Sequence, residues 1–224
     1  MNMSLSPKMY MTNTGGNVKA PFSTAFDPNS PLAFFLMFFR NQEELNLYRY
    51  VALVVVIIMF QFVFTGFIAP GNVRGKVFTK LFMEENFTTE HERYFTEGKA
   101  KEVPRGGYPD MGCGRYAERL SYKDWFNFNV AQRIHYHFLE SVTSVVTWIL
   151  IAGVRFPIQA ISFGAGFSFA RLLFHIGYHL KGPSGRYAGF LLQLLCSVVL
   201  FGFAFASCID AGVSTNFPSS SATL

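Results

Sequence analysis

Four long apolar stretches, separated by polar segments, organise this chain. The first runs from Tyr50 to Ala69 without a charged residue, and Pro70-Gly71 follows as a stop signal. A spanning helix needs about 20 apolar residues, so this stretch predicts a membrane helix over roughly residues 48–70. A second helix is predicted over about 126–153. Its first half is polar along one face, and its second half (VTSVVTWILIAG) is apolar. Pro157, at the tolerated first helical position, opens a third over about 157–180. Lys181-Gly182-Pro183-Ser184-Gly185 then breaks the pattern, and a fourth covers about 187–209. The shorter run Leu32 to Phe39 cannot span and suits a membrane surface or a neighbouring protein.

These elements predict an all-α membrane protein, a bundle of four transmembrane helices. Residues 1–44 form an N-terminal extension, 45–210 the membrane domain, and 211–224 a polar C-terminal tail. Residues 71–125 form a long first loop, rich in Gly, charge and aromatic residues. A loop of that length without structure of its own is usually functional, disordered or docked on something.

Composition agrees with a membrane protein. Half of the 224 residues are apolar, 27 of them Phe, and 15% are charged, against about 25% in soluble domains. The net charge of +5 does not point to nucleic acid, because the basic residues flank the apolar runs. Arg74, Lys76, Lys80, Arg119, Lys123, Lys181 and Arg186 all fall on the side of the two longer loops, which the positive-inside bias places in the cytosol or an equivalent compartment. Cys196 and Cys208 lie too far apart on one helix to bond, and Cys113 is alone in its loop, so neither a disulfide framework nor a thiolate metal site is expected.

Candidate chemistry collects where the second helix enters the membrane and the third leaves it. Arg133, His137 and Glu140 are spaced i, i+4, i+7, and Arg171, His175 and Tyr178 repeat that spacing, so each set forms one helical stripe. Charge at membrane depth is costly unless paired or wet, which makes it a functional candidate. One reading is a structural ion pair of Arg133 and Glu140, between helices or subunits. A second is an anion pocket in which Arg133, Arg171 and Arg186 hold carboxylates, Glu140 an amine, and Tyr178 supplies a hydroxyl. A metal site using His137, Glu140, His175 and His179 is disfavoured by the three arginines, and no metal is expected.

The runs FNFNVAQRIHYHFLES and ARLLFHIGYHLKGPSGR, with Tyr108-Pro109 upstream, resemble the MAPEG family, the membrane-associated proteins of eicosanoid and glutathione metabolism, and above all the microsomal glutathione transferases of the third type and their protist relatives. The family pattern Q-R-x-H-x-N-x-x-E is matched by Gln132, Arg133, His135 and Glu140, with His137 in place of Asn. The pattern G-R-x-x-Y-x-x-G-Y is matched by Arg171, Gly177 and Tyr178, with Ala170 for the first Gly and Phe174 for the first Tyr. Ser141 stands where a Tyr is frequent.

The resemblance implies a four-helix fold assembled as a homotrimer, with glutathione bound between subunits near the cytosolic face and a lipophilic substrate entering from the bilayer. By position, Arg133, His137, Glu140, Arg171 and Tyr178 bind glutathione, and Arg186 stabilises its thiolate. Because His137, Phe174 and Ser141 alter that pocket, the expectation is a non-canonical member: an accessory subunit of a larger membrane complex of the mitochondrial respiratory kind. The alternative is a glutathione-dependent transferase or peroxidase acting on lipophilic electrophiles or lipid hydroperoxides. The mitochondrial inner membrane and the endoplasmic reticulum are both compatible with the sequence.

Overall fold

The computed structural model describes Phe39 and residues 42–98 and 102–214, with the side chains of 211–214 left aside. The chain divides into two units, Met1–Met37 and Phe38–Leu224. Of the predicted N-terminal extension, 1–44, only Phe39 and residues 42–44 are described, and the last three open α1; the rest of the surface segment Leu32 to Phe39 and the tail beyond Ser214 fall outside the described residues.

Among the described residues, five α-helices follow in order: α1 Gln42–Val77, α2 Lys80–Tyr94, α3 Tyr122–Arg155, α4 Pro157–Lys181 and α5 Tyr187–Ser214. Four of them, all but α2, are long and apolar enough to cross a membrane, and the protein is an integral membrane protein with a four-helix bundle. The inner pair, α3 and α4, each pack on the other three long helices, and α1 and α5 sit across the diagonal. The core lies where these faces meet, with Val51 and Ile58 from α1, Phe138 and Ile149 from α3, Phe167 from α4 and Leu200 from α5. The opposite faces of α1 and α5 expose Phe60, Phe67, Val198 and Phe205, as membrane helices do when lipid or a neighbour replaces water.

Local chemistry explains the helix ends. Ser121 caps α3, its hydroxyl oxygen accepting from the Asp124 amide at 3.2 Å, and Pro157 opens α4 after the single residue Phe156. Glu43 and Glu44 at the start of α1, and Arg74 and Lys76 at its end, complement the helix dipole. At the end away from the long loop, Arg155 pairs with Asp210 at 3.0 Å, and the Tyr48 hydroxyl donates to the Leu150 carbonyl at 3.4 Å. Midway through the bundle, Gln61 and Ser168 bond reciprocally, at 3.1 Å and 2.9 Å.

Three features depart from the sequence expectations. Pro70 does not stop α1, which continues for seven residues to Val77. Membrane helices tolerate proline where neighbours satisfy the freed backbone, and here Arg74 on the added turns is anchored by loop carbonyls. Its Nη1 donates to Gly106 at 3.0 Å and its Nη2 to Asp110 at 2.7 Å. Second, the 71–125 connection is not structureless. It contains α2, capped by Thr79, and a small core of its own built from Phe78, Met83, Phe87, Ala117 and Phe128. Third, α5 runs to Ser214, past the predicted end near 209.

Candidate functional site

The predicted site residues lie from the middle of α3 to its loop-side end, on the loop-side half of α4 and in the turn before α5, and they divide into two groups by the side of the bundle they face. Arg133 and Glu140 face outward. Arg133 Nη1 lies 2.9 Å from Glu140 Oε1, with the two side chains 45% and 55% exposed. The pair therefore joins two turns of one helix rather than two helices. Glu140 sits near the middle of the 34-residue α3, well inside the spanning segment.

Arg171 faces inward and is only 1% exposed. Its Nη1 lies 2.9 Å from His137 Nδ1 and donates to Gln193 Oε1 at 3.0 Å, while Nη2 donates to the Ile134 carbonyl at 3.0 Å. The guanidinium lies over the rings of Phe138 and Phe174, at 4.3 Å and 4.7 Å. One arginine thus ties α3, α4 and α5 together, and it is not on the outward face that carries Arg133.

His137 connects the two groups. Its ring stacks on Phe174 at 4.6 Å and meets the edge of Phe190 at 5.7 Å. With Nδ1 held by Arg171, Nε2 has no partner among the described residues, and it is not among the enclosed unpartnered nitrogens. Phe174 is fully buried, so the place of the expected tyrosine hydroxyl is filled by a hydrocarbon ring packed inside the bundle. Tyr178, buried, and Arg186, half-buried, meet with the guanidinium 5.6 Å from the ring centre. Tyr178 and Arg133 border a cleft of about 270 Å³ that also meets Trp125, Asn129, Tyr136 and Pro183. His175 and His179 join none of these contacts, and no group of three metal-ligating side chains forms among the described residues.

Close helix contact brings α5 to this place. A Cβ at Gly177 would collide with the Gly185 carbonyl, and one at Gly189 with the Phe174 backbone. The start of α5, and Arg186 with it, can reach Tyr178 only because these positions have no side chain.

Sequence reasoning missed two residues that shape this end. Arg74, counted only as a flanking charge, is buried and lies over the Tyr108 and Phe128 rings at 4.1 Å and 4.8 Å. Asp110 accepts from the Gly112, Gly114 and Ala117 amides at 2.7, 3.0 and 2.7 Å. Burial alone would raise the Asp110 carboxyl, but these amides outweigh it and hold the group below its usual value. The D-x-G-x-G spacing of Asp110, Gly112 and Gly114 was the available signal, since glycines after an Asx residue favour such turns. The loop so fixed helps to border a second groove, about 430 Å³, between α1 and α3, lined by Phe62, Phe67, Arg74, Gln132 and His135.

A sequence model of the MAPEG family matches residues 47–206. No match was found among curated proteins or among solved structures.

Proposed function

The chain belongs to the MAPEG family, and from that premise we propose that it is a non-canonical member acting as an accessory subunit of a larger membrane assembly, of the mitochondrial respiratory type. The outward-facing Arg133–Glu140 pair carries this reading. About half of each side chain is exposed, on a helix that spans the membrane. The two groups pair with each other, but a half-exposed ion pair on a spanning helix is costly against lipid, and it faces away from its own bundle, so a neighbouring chain is its natural cover. The buried Phe174 supports the same reading, because it removes a hydroxyl from the pocket that the family resemblance implies. Purification in mild detergent from native membranes tests it: the chain should migrate in a large complex with other polypeptides in fixed ratio. Recovery as a free homotrimer with nothing else bound would count against it.

A second reading, a glutathione-dependent transferase or peroxidase, is favoured by Arg186 standing at Tyr178 beside the cleft. In that reading glutathione lies between subunits, a carboxylate on Arg133, its amine on Glu140 and its sulfur beside Arg186. Tyr178 and His137 supply further hydrogen bonds, and Arg171 acts through His137. A cation beside the sulfur lowers the thiol pKa, and the thiolate attacks the electrophilic carbon of a lipophilic substrate to form a thioether, as that carbon's leaving group departs or its π pair moves to the adjacent atom and is protonated. Millimolar glutathione should then raise the melting temperature and give a thiolate absorbance. Protein that shows neither has no such activity.

A further inference from the structure

We propose that Arg171 fixes the tautomer of His137, so that the loop-side site presents a permanent Nε2–H donor and selects a ligand that offers it an acceptor oxygen. A guanidinium has N–H donors and no acceptor. Nη1 carries two hydrogens, and the structure gives it two partners, His137 Nδ1 at 2.9 Å and Gln193 Oε1 at 3.0 Å. Both partner atoms must therefore accept. A neutral imidazole that accepts at Nδ1 carries its proton on Nε2. The arrangement cannot relax into the other tautomer, because an Nδ1–H would face an N–H.

The ring is held firmly enough for this to matter. It is stacked on Phe174 and edged by Phe190, and Arg171 is buried and tied to the Ile134 carbonyl. The charged groups around the ring are Arg171 from α4, Glu140 and Arg133 from its own helix, and Arg186 from the turn before α5. Only Nε2 lies clear of protein partners among the described residues. The outward atom is thus always a donor, and a carbonyl or carboxylate oxygen suits it where an amide N–H does not.

The same geometry predicts that Asn would serve at this position. Asn can turn its carbonyl toward Arg171 and its NH₂ outward, reproducing both roles with one side chain. Arg171 is accordingly a positioning residue. It touches no ligand and acts by dictating which His137 nitrogen bears hydrogen. That the outward donor meets a ligand rests on the binding-site reading above, whereas the tautomer does not.

The test is nitrogen NMR of the full chain in detergent with ¹⁵N-labelled histidine at neutral pH. His137→Asn identifies the His137 signals by their loss. The expected spectrum shows a protonated Nε2 and an unprotonated Nδ1. A major Nδ1–H form, or two equivalent protonated nitrogens, would overturn the proposal. Arg171→Gln, whose side-chain amide can accept as well as donate, should release the constraint and give a mixture of tautomers, and an unchanged spectrum in a folded variant would also overturn it. For the ligand half, reduced glutathione is the probe. His137→Leu should weaken binding about tenfold, the worth of one hydrogen bond, and His137→Asn should recover it to within about threefold. Equal binding by the Leu and Asn variants contradicts the donor role. Wild-type protein that binds no glutathione overturns the ligand half alone, because the tautomer is read from the spectrum without it.

Discussion

At the residue scale, identical side chains take different roles according to the face they occupy. Arg133 and Arg171 are both arginines in spanning helices, yet one is half exposed and paired along its own helix, and the other is sealed between three helices. Arg171→Leu removes the donor from His137 Nδ1, Gln193 Oε1 and the Ile134 carbonyl together. Breaking such a buried polar cluster should cost about 3–5 kcal/mol, seen as a clear drop in the melting temperature in detergent. Arg133→Ala should cost no more than about 1 kcal/mol in the same assay, and its effect should appear in assembly or ligand binding instead. Asp110 shows the same dependence on surroundings in the loop. Its folded carboxyl is held below the usual value, so its contribution is complete above the unfolded value of about 4. It drains away as the pH falls from there through the depressed folded value. Hydrogen-exchange protection of residues 105–120 should therefore be flat from pH 7 to about 5 and fall in more acid solution. Asp110→Asn should weaken that protection at neutral pH and remove its fall in acid.

At the element scale, helix spacing is set by where side chains are missing. Gly189 lies against the Phe174 backbone, whereas Gly202 on the same helix has open space where a Cβ would stand, with nothing within 4 Å. Gly189→Ala must push α5 from α4 and should cost about 2–3 kcal/mol as an overpacked contact. It should also carry Arg186 away from Tyr178 and weaken any glutathione binding. Gly202→Ala should be neutral or stabilising by up to about 1 kcal/mol. Thermal melts of the two variants, compared side by side, check both. The polar connection shows the limit of pattern reading at this scale. Helix α2 begins at the Thr79 cap with a weakly amphipathic sequence (KLFMEENFTTEHERY). Its packing partners, Val103 and Ala117, come from later in the same loop, so no local period announces it.

At the scale of the whole molecule, the two ends of the bundle are built for different purposes. The end away from the long loop is closed by the single-residue turn at Phe156 and by direct bonds such as Arg155 with Asp210. Asp210→Asn should lower thermal stability by about 1–2 kcal/mol, discounted for the partly exposed carboxylate, and should leave glutathione affinity as it was. The loop-side end carries two open hollows and the outward charge pair. A site left open toward a neighbour is what both functional readings require, and complex migration in mild detergent separates them.

The fold class was legible in the chain's pattern alone, and so was the stripe on which the polar residues fall. Uninterrupted apolar runs have one stable solution in lipid, the helix. The i, i+4, i+7 spacing fixed Arg133, His137 and Glu140 on one stripe, and the motif residues carried the family. Only the tertiary structure decided which way each polar group is used. Helical periodicity gives the angle of a side chain around its own axis but not what stands opposite. Whether Arg171 meets a ligand or His137 depended on α3 and α5 closing around it. The same is true of Arg74, Asp110 and the ordered loop, whose partners are separated from them by sequence or turned toward them only by the backbone. Pairing across helices is a property of packing, and packing is what sealed Arg171 against His137 and left Arg133 and Glu140 on the open face.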